Sequence, residues 1–297
     1  MKKGILALAI IITVGLTWYL FIKPQDYIIN AKTTSRPGVI NQTLKLWNGT
    51  LAGQASITQD NDLDHLSQRI TFADSTHHYE WYIKPDTDST ASITVDVTDV
   101  DHSLMNKLQI PFSDTDFEKR SRKTVRDFLE KLKEHEESFN ITLVGEEELA
   151  TTYCACVAVQ SKQFEKASKM MENFPLLNSV LAQNGIVLNG VPMIEVTDWN
   201  IEKDSIAFNF CYPIIENDSL PVIRNINYKT FVGRKALKAV YNGNYITSDR
   251  AWYALLDYAE KNGLEVAQTP IEFFFNNPNM GGDELRWKAE IFMPLKN

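Results

Sequence analysis

The chain has 297 residues, 44% of them hydrophobic and 23% charged, which are the proportions of a folded rather than a disordered protein. Thirty basic against 38 acidic side chains give a net charge of -8, so the overall field repels phosphate backbones and nucleic acid is excluded as an expected partner. Cys154, Cys156 and Cys211 lack Cys-x-x-Cys spacing, which argues against a disulfide framework or a zinc site and leaves buried free thiols as the expectation.

Lys2-Lys3 precede an uncharged apolar run from Gly4 to Ile22 that stops at Lys23-Pro24. At about 1.5 Å per residue such a run just spans a hydrocarbon core of about 30 Å. The run is longer than a cleavable signal peptide usually has, Trp18 and Tyr19 near its end suit a membrane interface, and no lipid-accepting Cys follows, so residues 1–24 read as an uncleaved single-pass anchor in an inner membrane, with a signal peptide as the alternative. The two lysines ahead of the span place the start in the cytoplasm and the remainder in the periplasm of a bacterial cell.

Asp26 to Ser35 alternates as a strand until Arg36-Pro37-Gly38 breaks it, and Val39 to Leu51 fits helix or strand. Leu66–Phe72, His78–Lys84 and Ala91–Val97 alternate like half-buried antiparallel strands, with a turn expected over Pro85 to Ser89. After Pro111-Phe112, Ser113 or Asp114 is placed to cap a long helix with Phe117, Val125, Phe128, Leu129 and Leu132 on one stripe. A sheet followed by one long helix, carried by His78–Lys84, Ala91–Asp99 and Pro111–Phe128, resembles the START-like (SRPBCC) helix-grip domains over residues 25–140. That resemblance implies an apolar cavity between sheet and helix and a lipid as possible ligand; a plain spacer is the alternative. The five histidines have no metal-ligand spacing and read as surface residues, and no metal or cofactor is expected.

The second half, residues 141–297, repeats one β-α-β-β unit. The first copy runs Tyr153–Gln160, helix Ser161–Gln183, Pro192–Asp198 and Ser205–Ile214; the second runs Ala236–Tyr241, helix Ser248–Lys261, Ile271–Phe275 and Glu284–Leu295. Both helices stop at Asn-Gly-aliphatic, Asn184-Gly185-Ile186 and Asn262-Gly263-Leu264, where glycine can take the left-handed conformation. In both copies a proline and then a glutamate follow, Pro192 with Glu195 and Pro270 with Glu272, and both last strands end on a proline, Pro213 and Pro294. Pro175 is expected to bend or interrupt the first helix, and Ser248 to cap the second. The fold class is therefore α+β: an N-terminal transmembrane helix, a helix-grip antiparallel sheet domain and a duplicated β-α-β-β domain.

Val240 to Tyr245, Ala251-Trp252, Phe275-Asn276-Asn277-Pro278 and Ala289 to Pro294 together resemble the GyrI-like family, also called the AraC-type effector-binding domain. The resemblance implies small-molecule binding between the repeats, with planar or cationic guests, or hydrolysis of strained electrophiles. Gly243-Asn244-Tyr245 departs from the family's usual Gly-Pro-Tyr. If the helices cover one sheet face, the opposite face is left open for a ligand. Strand parity puts Glu290 on that open face, and alignment of the terminal prolines sets it opposite Asn209, so the acid falls in one half alone. The expected site is Glu290 with an aromatic cage of Tyr241, Tyr245, Phe273 and Phe292, in which desolvation raises the carboxyl pKa. The leading function is a membrane-tethered binder of an aromatic or cationic molecule. The alternatives are a hydrolase using Glu290 as general acid or base with Tyr241 or Tyr245 as partner, and a ligand-free scaffold.

Overall fold

The computed structural model describes every residue except 1, 52, 60–62, 88–89, 218–219 and 297, and the backbone alone of residues 2, 3 and 87. The end of the turn expected over Pro85 to Ser89 lies outside the described residues. The chain divides into two compact units, Met1–Lys133 and Glu134–Asn297.

The first unit begins with helix α1 (Lys2–Thr17), prolonged by a π-helical turn over Trp18–Ile22. Its Gly4–Ile22 stretch has a mean hydropathy of 2.5, has no buried residue, and is long and apolar enough to cross a membrane. There follow β1 (Tyr27–Thr33), α2 (Pro37–Thr50), β2 (Ala55–Gln59), β3 (His65–Thr71), β4 (Thr76–Thr87), β5 (Thr90–Asp99), α3 (Ser103–Gln109) and α4 (Asp116–Glu137). The antiparallel sheet has the order β1-β5-β4-β3-β2, so its first strand closes against its last. The ambiguous stretch after Pro37 is helical. Proline suits a first helical turn, and Val39, Ile40, Leu44 and Trp47 make one buried stripe.

Helix α4 is capped by Thr115 rather than Ser113 or Asp114. The Thr115 hydroxyl accepts from the Glu118 N–H at 3.2 Å while the Glu118 carboxylate accepts from the Thr115 N–H at 3.0 Å, a reciprocal box. Phe128 of α4 meets Trp81 at 5.1 Å and Trp47 at 5.7 Å, so the space between helix and sheet, where a lipid cavity is expected, is filled by aromatic rings. A cavity of about 420 Å³ in this unit is polar, with Asp74, His77, Asp99, His102 and Arg120 in its wall. His77 is not a surface residue. It is 1% exposed, and burial pushes its pKa down to about 4.

The second unit contains β6 (Phe139–Leu149), β7 (Thr152–Lys162), α5 (Lys166–Gln183), β8 (Met193–Asn200), β9 (Ser205–Pro213), β10 (Asn227–Phe231), β11 (Arg234–Gly243), α6 (Arg250–Lys261), β12 (Ile271–Phe274) and β13 (Lys288–Pro294). All eight strands form one antiparallel sheet ordered β10-β7-β9-β8-β12-β13-β11-β6. The stretches β7-α5-β8-β9 and β11-α6-β12-β13 have the same element order and meet at β8 and β12 in the centre. The strand ahead of each stretch pairs with the other one: β6 flanks β11 and β10 flanks β7. Neither flanking strand stands out in the sequence, because each is an edge strand with one paired side and a mostly polar face.

Both helices end as their Asn-Gly signals require. Gly185 and Gly263 have φ of 63° and 64°, and the next N–H returns to the helix at 2.9 Å in each case, Ile186 to Leu181 and Leu264 to Ala259. Helix α5 runs through Pro175 without interruption; the proline is exposed, so water can serve the carbonyl it leaves unpaired. Ser248 does not cap α6, which starts at Arg250, because its hydroxyl is engaged elsewhere. Cys156 and Cys211 stand directly opposite each other on β7 and β9 and form a disulfide, correcting the expectation of three free thiols; only the fold, not their spacing of 55 residues, brings them together. Cys154 is the buried free thiol, and burial pushes it up to about 12.

Candidate ligand-binding site

Both α5 and α6 lie on the same face of the eight-stranded sheet. Glu272 of β12, pointing to that face, bonds a side chain from each of them. On this helix-covered face a cavity of about 550 Å³ opens between α5, the 244–246 turn and the 275–279 loop. Its wall is aromatic: Phe164, Phe174, Phe210, Tyr212, Tyr245, Phe274, Phe275 and Trp287, with Met170 and Met171 from α5. The polar groups in the lining are neutral, Ser168 and the asparagines 244, 276, 277 and 279 among them; among the described residues no Asp, Glu, Lys or Arg lines it. A cavity of this size and character suits a rigid apolar guest carrying little or delocalised charge.

The turn that makes one wall follows from three residues. Gly243 has φ of 151°, and a Cβ there would meet the Tyr241 hydroxyl and the Phe139 Cβ at 2.7 Å, so glycine is required. Asn244 stands where the family pattern has proline and adopts φ of -66°, the angle proline would impose; its carboxamide oxygen then accepts from the Ile246 N–H at 3.0 Å. Tyr245 closes the turn. Its hydroxyl donates to the Lys288 carbonyl at 2.8 Å and accepts from the Asn276 N–H at 3.0 Å, fastening the 275–279 loop. Burial pushes the Tyr245 phenol up to about 12, so it remains neutral.

Behind this wall lies a buried ion pair. Lys166 and Glu272 are both 0% exposed and 2.7 Å apart. Glu272 also accepts from Trp252 Nε1 and Ser248 Oγ, each at 2.6 Å, and Lys166 donates to Ser248 Oγ at 2.6 Å. Every polar atom named is satisfied, which a charge in such a place requires. The network joins the first turn of α5, the approach to α6 and the central strand β12. Sequence reasoning notes Glu272 as a repeat marker but misses it as a site neighbour. The signal was its position between Ile271 and Phe273, since parity puts it on the face the helices cover.

The five expected site residues do not converge. Tyr245 lines the helix-side cavity. Tyr241 is on the same face but fully buried, stacked on Phe139 at 5.7 Å and donating to the Asn244 carbonyl, so it supports the turn from behind. Glu290, Phe273 and Phe292 are on the opposite face, as parity requires, and that face is not an empty cleft. Phe292 is 6% exposed and packs with Phe273, Met193, Ile271 and the Cys156–Cys211 bridge. Glu290 lies between Lys288 Nζ at 2.7 Å and Lys238 Nζ at 3.3 Å. Partial burial would raise its carboxyl pKa, but the two ammonium groups outweigh that and hold it below the usual range, the reverse of the expected shift. A carboxylate so held is a poor proton donor, and neither Tyr241 nor Tyr245 is on its side of the sheet. Nor is the acid confined to one half: Glu195, opposite Asn209 on β9, occupies the same face and is held by Lys229 at 2.5 Å and Asn209 at 2.8 Å.

Residues 157–296 match the model of the GyrI-like small molecule binding domain, so the second unit carries a domain of that family. Among solved structures, the C-terminal domain of EcmrR is similar at 17% identity, with 54% of this chain and 98% of that one covered and a TM-score of 0.44. SAV2435 bound to tetraphenylphosphonium has 12% identity over 52% of this chain and 94% of that one, with a TM-score of 0.38. A hydrolase from Listeria innocua has 12% identity over 55% and 98%, with a TM-score of 0.32. No curated protein matches the chain.

Proposed function

We propose that this protein is a membrane-tethered binder that holds an aromatic or soft cationic molecule in the helix-side cavity of its second unit. The observation that carries this reading is the cavity itself, whose 550 Å³ are walled by aromatic and thioether side chains with neutral amides at the rim. Ring faces attract a delocalised cation without needing a carboxylate in contact. In this reading the two β-α-β-β stretches are copies of one unit, the site is built where the first copy's helix faces the second copy's turn, and Tyr245 is the member of the expected set that touches the guest.

The N-terminal span, on this reading, anchors the chain in an inner membrane with residues 25–297 outside. The Cys156–Cys211 disulfide favours that placement, because such bonds persist in oxidising compartments such as the bacterial periplasm. The helix-grip layout proposed for the first unit is supported by the closure of β1 on β5 and the long α4 over the sheet. Its polar cavity suits a polar guest better than a lipid.

The test is a thermal-shift titration of the full chain in detergent with a panel of aromatic dyes and lipophilic cations, tetraphenylphosphonium included. A ligand that binds the folded state raises the melting temperature with concentration. A panel without any such response would refute the reading.

A further inference from the structure

Helix α3 is amphipathic in the wrong sense for a protein surrounded by water. Three of its four polar side chains face inward: Ser103 Oγ donates to Asp26 at 2.5 Å, Asn106 Nδ2 donates to Asp99 at 3.1 Å, and Lys107 is 4% exposed, with Gln109 alone among them exposed. Its apolar side chains face outward, with Leu104 47%, Met105 55% and Leu108 48% exposed, and Phe112, just beyond the helix, is 89% exposed. A helix on an aqueous surface has the opposite arrangement.

The inward contacts also state where this helix is. Lys107 Nζ donates to the carbonyl of Lys23, the first residue after the apolar span, and pairs with Asp26 at 3.7 Å. Asp26 in turn accepts from the Asp99 N–H at 2.9 Å, tying it to the end of β5. Helix α3 packs against the final turn of the span, Trp18–Ile22. If that span crosses a bilayer, its last turn, with Trp18 and Tyr19, lies at the headgroup level, and α3 lies there with it.

We propose that α3 is a membrane-interface helix, with Leu104, Met105, Leu108 and Phe112 inserted in the headgroup layer beside the exit of the span. The inference rests on the anchor reading above and goes beyond it. The first unit is then seated on the bilayer by a second, non-spanning contact, and its orientation to the surface is fixed through Asp26 and Lys107 instead of being left to a flexible stalk. An interfacial helix inserts about 5–10 Å, to the boundary of headgroups and acyl chains.

The experiment uses the full chain in phosphatidylcholine vesicles with an environment-sensitive dye on Met105→Cys. The native cysteines do not compete, since Cys154 is buried and the other two are bonded to each other. A parallel protein carries the dye on Ile12→Cys, in the middle of the span. The expected result is that a nitroxide lipid labelled near the headgroup quenches the dye at 105 more than one labelled deep in the chain, and that the order is reversed at 12. Quenching at 12 with water-like, unquenched emission at 105 would overturn the interface helix and leave the anchor standing. Loss of quenching at both positions would overturn the anchor and the inference with it. A dye at 105 shielded from water but untouched by either nitroxide would mean that protein covers this face, which also overturns the proposal.

Discussion

The two faces of the eight-stranded sheet hold their carboxylates in opposite ways. On the helix-covered face Glu272 is sealed from water, satisfied by Lys166, Ser248 and Trp252, and set behind an aromatic cavity. On the other face Glu290 is partly exposed and clamped by Lys288 and Lys238, with Glu195 clamped similarly by Lys229. The first arrangement makes a rigid floor for a site. The second neutralises acids over a packed apolar patch. A glutamate among aromatic residues therefore does not mark a site by itself; its cover and its counter-ions decide.

The largest expected contrast between the faces is in stability. Lys166→Met leaves the Glu272 charge buried without its partner and is expected to cost about 3–5 kcal/mol, whereas Glu290→Gln removes a partly exposed pair and is expected to cost about 1 kcal/mol or less. Urea unfolding followed by tryptophan emission measures both, and equal costs would erase the distinction. Next in size, replacing Cys156 and Cys211 together by alanine removes a covalent closure over 55 residues on the non-helical face. A loss of about 2–4 kcal/mol is expected, read in the same experiment.

A pH effect sharpens the comparison from the helix side. His135, beside Arg250 at the start of α6, has its pKa pushed down to about 4 by burial and then by the Arg250 charge. Above about 6.5 the imidazole is neutral in both folded and unfolded chains, so its contribution is constant. As pH falls from there to about 4 the unfolded chain takes up a proton that the folded chain refuses, and stability declines; below about 4 no further loss comes from this group. His77 titrates in the same window in the first unit, so the slope should lessen but not vanish in His135→Gln. An unchanged slope in denaturation midpoints between pH 4 and 6.5 would show that His135 is accessible. Smallest is Tyr245→Phe, which removes the hydroxyl that links the Lys288 carbonyl of β13 to Asn276 of the 275–279 loop and is expected to weaken ligand binding a fewfold, about 1 kcal/mol, with little change in stability.

Much of the fold is legible from local rules. Asn-Gly stops locate both helix ends, and strand parity assigns Glu290 to the face opposite the helices. What fails is the step from face to function, because periodicity cannot say that the uncovered face is filled by Phe292, Met193 and a disulfide, or that the cavity opens beside α5 instead. Lys166 looks like a surface lysine, because its role depends on a partner about a hundred residues away in the chain, Glu272. The inverted polarity of α3 was equally hidden, since seven residues carry too little periodicity to reveal which side meets the protein.

The choice between the faces is settled most directly by calorimetric titration of tetraphenylphosphonium, or of whichever cation of the panel binds, into three proteins. These are the unmodified chain, Phe164→Ala, which trims a half-exposed ring of the helix-side cavity, and Glu290→Gln. Phe164→Ala is expected to raise Kd about tenfold, the equivalent of about 1.4 kcal/mol, with Glu290→Gln within about twofold of the unmodified chain. Binding that survives Phe164→Ala and is lost in Glu290→Gln would contradict the assignment and return the ligand to the open face.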